Sequence, residues 1–261
     1  MYKKELKIAK QAAKSAGKFL KKEFFNFDQK IDYKTGNERV TRYDKEANKI
    51  ILNKLRKNFP DYGVLSEESG QTDKDSPYTW IIDPLDGTTN FTIHHTLFAV
   101  TIALLYKNKV VMGVIYNPIL DEMYWATENN GSYKNGQKLK VSAKTDLKKS
   151  IITYCHGSGK TNTEKAYRLY RHFHDISHHC RHFGCTSLEL AMLAAGDTQA
   201  HMISGAKIWD ISAGTIIIKE AGGKVTDWKN KTWNKESKTI LAANKKIHPL
   251  CLKELKKVRL A

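Results

Sequence analysis

Little in this sequence marks a membrane or secreted protein. No apolar run among its 261 residues approaches the roughly 18 needed to cross a bilayer. The stretch from Met1 to Lys22 carries recurring lysines. It has neither the continuous apolar centre nor the small-residue cleavage site of a secretory signal, so we expect mature, soluble, cytoplasmic chain with no membrane partner. Cysteine is scarce: Cys155, Cys180, Cys185 and Cys251 are four in all, with no Cys-x-x-Cys pair. That excludes a disulfide framework and fits reduced thiols. Internal repeats, low-complexity tracts and long linkers are absent. Acidic residues are in deficit, 27 Asp+Glu against 44 Lys+Arg, a formal charge of +17. Such a surplus can serve nucleic acid or draw in anionic substrates. The lysines are scattered along the chain, so we read a solvated basic surface and keep nucleic acid as the less favoured partner.

What is present suffices for a substantial core, with 41% hydrophobic residues. Residues 1–25 place Leu6, Ala9, Ala13, Ala16 and Leu20 at helical spacing, a thin apolar face suited to packing on the protein body. A polar loop around Gly36-Asn37 follows, then a second helical pattern from Asp44 to Phe59-Pro60. Segments 97–105 and 110–116 are β-branched and apolar, with Lys107-Asn108 as a hairpin turn, and a meander continues through Asn135-Gly136. From Ser150 strands and helices alternate: strands at 151–154, 224–227 and 240–243, helices at 163–174, 187–195, 211–221 and 248–257. These patterns predict an α+β half with an antiparallel sheet, residues 1–147, and an α/β half, residues 148–261.

The most informative stretch is Trp80-Ile81-Ile82-Asp83-Pro84-Leu85-Asp86-Gly87-Thr88-Thr89-Asn90-Phe91. A short buried-strand pattern ends in two carboxylates, Asp83 and Asp86, and a turn into a helix follows. Hard divalent cations take carboxylate and carbonyl oxygens, and phosphate takes backbone N–H groups at a helix start. Both together point to metal-assisted phosphate chemistry. Two further acidic loci lie at edges of regular elements. Glu67-Glu68 follows a strand-like segment, and Asp210 opens the helix at 211–221, where alone it reads as an N-cap.

Asp83 to Phe91 resembles the first signature of the inositol monophosphatase family. That family belongs to the lithium-sensitive, magnesium-dependent phosphatase superfamily, with fructose-1,6-bisphosphatases and 3′-nucleotide phosphatases. Trp209-Asp210-Ile211-Ser212-Ala213-Gly214, ending in Glu220-Ala221-Gly222-Gly223, is similar to its second signature. Ser66-Glu67-Glu68-Ser69, Val40-Thr41-Arg42-Tyr43-Asp44 and Arg181-His182-Phe183-Gly184-Cys185-Thr186-Ser187 match further positions in family order. The resemblance implies a layered αβαβα sandwich, usually homodimeric. It implies that Glu67, Asp83 and the Leu85 carbonyl hold one Mg²⁺ and that Asp83, Asp86 and Asp210 hold a second. A third, weaker ion would touch Glu67. Gly87 and Thr88 would face the phosphate, and Thr88 paired with Asp44 would orient and deprotonate the attacking water. Mg²⁺ in such a site lowers the pKa of water and steadies the leaving alkoxide.

The substrate wall departs from the pattern. Inositol-specific members carry a glutamate at the position of Ile203, which cannot accept hydrogen bonds from hydroxyls. Lys207 offers a cation for a second phosphate, Ser158 matches a segment near the substrate, and Thr186 lies in the looser motif. Ser158, Thr186, Ile203 and Lys207 are therefore the candidate substrate positions beside Gly87 and Thr88. The expected activity is Mg²⁺-dependent hydrolysis of a small polyol or sugar phosphate. The alternatives are a 3′(2′),5′-bisphosphate nucleotidase, a fructose-1,6-bisphosphatase or a histidinol-phosphatase, and, in another class, an RNA- or transcription-complex factor. His172, His174, His178, His179 and His182 near Cys180 could bind zinc, but their irregular spacing reads better as solvated histidines.

Overall fold

The computed structural model describes residues 2–26, 32–33, 39–72 and 74–258. The loop expected around Gly36-Asn37 lies outside them. Helix α1 spans Lys3–Phe25. The short pair β1 (Asp32–Tyr33) and β2 (Arg39–Val40) leads to α2, Arg42–Asn58. Thr41 caps α2, taking the Tyr43 N–H on its hydroxyl, while its own N–H reaches Asp44 Oδ2 at 2.7 Å. This capping box starts the helix two residues before the expected Asp44. Ala9, Ala12, Ala13, Ala16 and Leu20 of α1 are fully buried, so its thin apolar face does pack on the body.

Next come β3 (Gly63–Ser66), β4 (Gly70–Thr72), β5 (Tyr78–Asp86), the short α3 (Thr88–Thr92), β6 (Ala99–Tyr106), β7 (Lys109–Asn117), β8 (Glu122–Thr127), β9 (Ser132–Lys134) and β10 (Gln137–Lys138). They form one sheet in the order β10-β9-β8-β7-β6-β5-β3-β4. Lys107 and Asn108 both have positive φ, 48° and 64°, as a tight hairpin between β6 and β7 requires. The sheet is not wholly antiparallel as expected. The β4 hairpin turns the chain once more, so β5 runs parallel to β3.

After a turn at Leu147–Lys149 come β11 (Ile151–His156), α4 (Lys160–Ile176), β12 (His179–Arg181), α5 (Thr186–Ala195), β13 (Ala200–Ser204), α6 (Ile208–Glu220), β14 (Lys224–Thr226), β15 (Thr239–Ala243) and α7 (Ile247–Leu255). The second sheet is mixed, in the order β12-β11-β13-β15-β14. Strand β13 was not anticipated, although its central residues are apolar.

The layers follow from who is buried against whom. One face of the first sheet, with Val100, Ile102 and Leu104, packs on α1 and α2. Its other face, with Ala99, Ala103 and Leu105, meets α5, α6 and the inner face of the second sheet. The outer face of that sheet packs on α4 and α7 through Leu169, Phe173, Ile247 and Cys251. This is an αβαβα sandwich. The central helices α5 and α6 are buried nearly all round, which explains why apolar and small residues occupy all their faces, Ile211 to Ile218 above all. Gly113 of β7 permits that middle layer to close, since a side chain there would meet the Ala213 backbone at 2.6–2.7 Å. No described helix is long and apolar enough to cross a membrane.

Candidate active site

Asp83 and Asp86 are three residues apart on β5, and a regular strand would send them to opposite faces. The register shows how both reach one cavity. Asp83 pairs with Thr101 and Asp86 with Ala99, so one extra residue bulges out between them. A bulge re-aims side chains, and Pro84, with no N–H to lose, suits it. Gly87 then turns the chain at φ 87°, where a β-carbon would come within 3.0 Å of Leu97 O and 3.2 Å of Cys185 Cβ. Only glycine meets both demands, and α3 starts at Thr88.

The resulting cavity, about 380 Å³, is lined by Glu67, Asp83, Leu85, Asp86, Gly87, Thr88 and Asp210 on its acidic side. Cys155, His156, Gly157, Ser158, Gly184, Thr186 and Lys207 line the rest. The structure thus gathers the acidic loci from the end of β3, from β5 and from α6. Asp210 is not the cap of α6. Position 207 is the N-cap, and Asp210 lies within the first turn, where a carboxylate is favourable to the helix dipole. Ile203 is not part of the cavity wall. It sits on β13 with its side chain in the core between the sheets, 2% exposed.

The carboxylates strain against each other. Burial, and then Glu67, Asp86 and Asp210, push Asp83 well above the ordinary carboxylate range, against one bond from the Leu85 N–H at 2.9 Å. Asp86 is pushed up by burial too. Its Oδ2 is already taken by the Ser187 N–H at 2.6 Å and the Cys185 thiol at 3.2 Å, both at the start of α5. That leaves Oδ1 to face the cavity chemistry. These α5 partners were missed in the sequence, as were the cavity positions Cys155 and His156; a thiol beside an apolar strand end gives no signal of its own. Thr186 does reach the cavity, its hydroxyl donating to Cys155 Sγ at 3.2 Å. Burial pushes the Cys155 thiol up, which suits a structural acceptor rather than a nucleophile.

Asp44 is buried beneath the cavity, not on its wall. Its Oδ2 accepts from the Thr41 N–H and hydroxyl at 2.7 and 2.6 Å, and its Oδ1 faces the Thr88 hydroxyl at 3.0 Å. Burial raises its pKa to about 6 against the lowering effect of Thr41. The Thr88 hydroxyl also lies 3.0 Å from the Leu85 carbonyl, so one proton has two acceptors.

Among the described residues no three His, Cys, Asp or Glu side chains close on one point as metal ligands do. The four carboxylates surround a shared space instead. Their donors are all oxygen, and a fully buried Asp83 carboxylate among like charges needs a cation to stay ionised. The set fits a hard divalent cation. The histidines between 172 and 182 do not converge on one point. His172 Nε2 pairs with Glu254 at 2.9 Å, His174 lies against Asp175, and His178 packs on His179.

The model of the inositol monophosphatase family matches residues 1–260. The chain belongs to the inositol monophosphatase family. It is 35% identical over 260 residues to an inositol-1-monophosphatase of Mesorhizobium japonicum, covering 97% of this chain and 96% of that one. It is 36% identical over 228 residues to the Nus factor SuhB of Pasteurella multocida, covering 85% of each. Among solved structures, the extragenic suppressor protein SuhB of Bartonella henselae superposes with a TM-score of 0.92 at 35% identity, covering 97% of this chain and 98% of that one. The αβαβα sandwich is therefore this family's fold. Membership sets the chain within a superfamily of metal-dependent phosphatases.

Proposed function

We propose that this family member is a Mg²⁺-dependent, lithium-inhibited phosphomonoesterase acting on a small polyol or sugar phosphate in the cytoplasm, as a homodimer. The observation that carries the reading is the buried Asp83 carboxyl sharing one cavity with Glu67, Asp86 and Asp210. Glu67, Asp83 and the Leu85 carbonyl would hold one ion and Asp83, Asp86 and Asp210 a second, with a third beside Glu67. Bound Mg²⁺ supplies Lewis-acid polarisation of the phosphate and lowers the pKa of water.

The chain's own residues do the rest. Gly87 and Thr88 turn backbone N–H groups to the phosphate end of the cavity. The Thr88 hydroxyl hands its proton to Asp44 Oδ1 and takes one from the attacking water, a relay set up by the 3.0 Å contact. Asp44, with Oδ2 fixed by Thr41, acts as the terminal base. Ser187 and Cys185 hold Asp86 in one orientation. On the far wall Ser158, Thr186 and Lys207 meet the rest of the substrate.

The test is phosphate release with Mg²⁺, with and without Li⁺. The substrates are inositol 1-phosphate, fructose 1,6-bisphosphate, a 3′(2′),5′-bisphosphate nucleotide and histidinol phosphate. Mg²⁺-dependent release from one of them supports the reading, and release from none overturns it.

The charge of +17 and the relatives called Nus factor favour a second reading, an RNA- or transcription-complex factor on the same fold. A salt-dependent RNA gel shift whose slope reports several phosphate contacts supports it. No shift at low salt removes it.

A further inference from the structure

Two loops build much of the far wall of the cavity, and one residue off that wall ties them together. The first loop, Gly157-Ser158-Gly159, joins β11 to α4, and its Gly157 and Ser158 line the cavity. The second, Gly205-Ala206-Lys207, joins β13 to α6 and brings Lys207 to the same wall. Asn162, in the first turn of α4, is not among the lining residues. Its Nδ2 donates to the Ser158 carbonyl at 2.9 Å, and its Oδ1 accepts from the Ser204 hydroxyl at 2.9 Å. Ser158 is four residues away along the chain, but Ser204 is 42 away. The amide is fixed in one orientation, because only its NH₂ group can face the Ser158 carbonyl.

The backbone makes the same connection. Strands β11 and β13 are parallel neighbours, with His156 opposite Ser204. Just beyond this pair the Gly157 N–H donates to the Ser204 carbonyl at 2.7 Å. A β-carbon on Gly157 would collide with the Gly205 carbonyl oxygen, and one on Gly205 with the Asn162 amide. The loops therefore meet with no room for a side chain between them. Capping of α4 does not account for Asn162. A side chain that served only the helix start has no need of Ser204, which is 1% exposed at the end of a neighbouring strand. The wall also has no carboxylate from position 203, because Ile203 lies in the core. Of the contacts proposed for the substrate body, Ser158 is on one loop and Lys207 on the other, so the spacing of the loops sets the fit.

We propose that Asn162 is a positioning residue, a latch that holds the Ser158 and Lys207 loops as one wall and thereby sets affinity for the part of the substrate beyond its phosphate. It acts through the loops and leaves the carboxylate end of the cavity to other residues. The proposal rests on the phosphatase reading above.

The experiment uses the full chain and has two arms. The first takes, with Mg²⁺, whichever of the four esters named above has the highest kcat/KM, and inorganic phosphate as a competitive inhibitor. Phosphate alone occupies only the carboxylate end. Asn162→Ala raises KM for the ester roughly three- to tenfold, the scale of one lost hydrogen bond, while kcat and the phosphate Ki stay within about twofold. Asn162→Asp keeps the acceptor for Ser204 but sets an oxygen against the Ser158 carbonyl, so KM rises there too. Ser204→Ala severs the other bond and raises KM, and adding it to Asn162→Ala costs little more, because the latch is already open. An unchanged KM, additive losses, or a parallel loss in KM, kcat and phosphate Ki overturns the proposal. If Asn162→Ala does not fold, Asn162→Asp and Ser204→Ala carry both arms. The second arm is independent of turnover. Hydrogen exchange is followed in the metal-free protein, and Asn162→Ala speeds it at both 157–159 and 205–207 while β6 is unaffected. Exchange unchanged in either loop overturns the latch. Hydrolysis of an ester with neither effect of Asn162→Ala sinks this proposal and leaves the phosphatase reading standing. Coupled exchange with no hydrolysis of any ester does the reverse.

Discussion

Thr88 and Asp44, far apart in the chain, meet hydroxyl to carboxylate at 3.0 Å. The contact joins the first helix turn after β5 to the first turn of α2, and it sets Asp44, the proposed base, behind the wall residue Thr88. Its pKa of about 6 has a consequence for rate. Asp44 must be ionised to take a proton, so activity rises with pH through a limb near 6. Asp44→Asn and Thr88→Ala both remove that limb and lower kcat by roughly a hundredfold or more. A pH–rate profile of kcat for the three proteins checks this.

The same shifts set the pH dependence of stability without metal. Asp44, Asp83 and Asp86 all have folded pKa values above their ordinary ones. Between the ordinary and raised values the folded chain binds more protons than the unfolded chain, so stability falls as pH rises. For Asp44 the window runs from about 4 to about 6. Tm of the metal-free protein should therefore drop over this window, and the drop should shrink with saturating Mg²⁺, which stabilises the ionised set. A Tm that rises steadily through the window in the metal-free protein contradicts the arrangement.

Asp83→Asn should act in opposite directions on stability and turnover. It removes the most repelled charge, so metal-free Tm rises, while kcat falls at least about a hundredfold, the scale of losing a preorganised charge. Calorimetry with and without Mg²⁺ checks both, since the variant should lose most of the ion's stabilising effect. Unchanged Mg²⁺-dependent turnover would falsify the role of Asp83. In the wild-type chain, hydrogen exchange at 67–70 and 85–90 should slow when Mg²⁺ is added.

How much of this was legible in the sequence depends on how local the signal was. The carboxylate pair at Asp83 and Asp86, the hairpin at Lys107-Asn108 and the apolar stripe of α1 are short-range patterns, and they are found where the sequence put them. The bulge that turns both aspartates to one side has only Pro84 as a trace. The parallel pairing of β3 with β5 and the strand β13 depend on contacts distant in sequence, and spacing alone does not carry them. Ile203 was read as a substrate position that had lost a glutamate, but its side chain lies in the core and off the cavity wall. His156 was not singled out and His182 was read as one of several solvated histidines, because their ring stacking is visible only once β11 and β12 lie side by side.

Gly87→Ala should cost about 1–2 kcal/mol from its left-handed backbone alone, with more from the contacts at Leu97 and Cys185. Urea denaturation reads the loss. Because the turn aims Thr88, kcat should fall further than stability alone explains.

Glu189 offers a test away from the metal ligands. It is fully buried on α5, and its Oε1 accepts from the Phe183 and Gly184 N–H groups at 3.0 and 3.2 Å, shaping the turn that carries Gly184 into the cavity. Its Oε2 lies 3.4 Å from His201 Nδ1. Glu189→Ala strands both N–H groups, while His201 Nδ1 keeps the Thr153 hydroxyl at 2.6 Å, and it should cost roughly 3 kcal/mol. Glu189→Gln keeps one acceptor oxygen and should recover most of the stability. KM should rise in the alanine variant more than kcat falls.

Asp210 reaches the cavity from α6 in the middle layer, while Glu67, Asp83 and Asp86 come from the first sheet and its end. A growing chain on the ribosome therefore displays three of its four acidic positions long before the fourth exists. A fragment cut at Leu147–Lys149 lacks Asp210 and so never closes the set. On the proposed reading, an ion held by all four carboxylates would then bind only once the whole sandwich has been made and packed, and would serve as a seal on completed synthesis as much as a reagent.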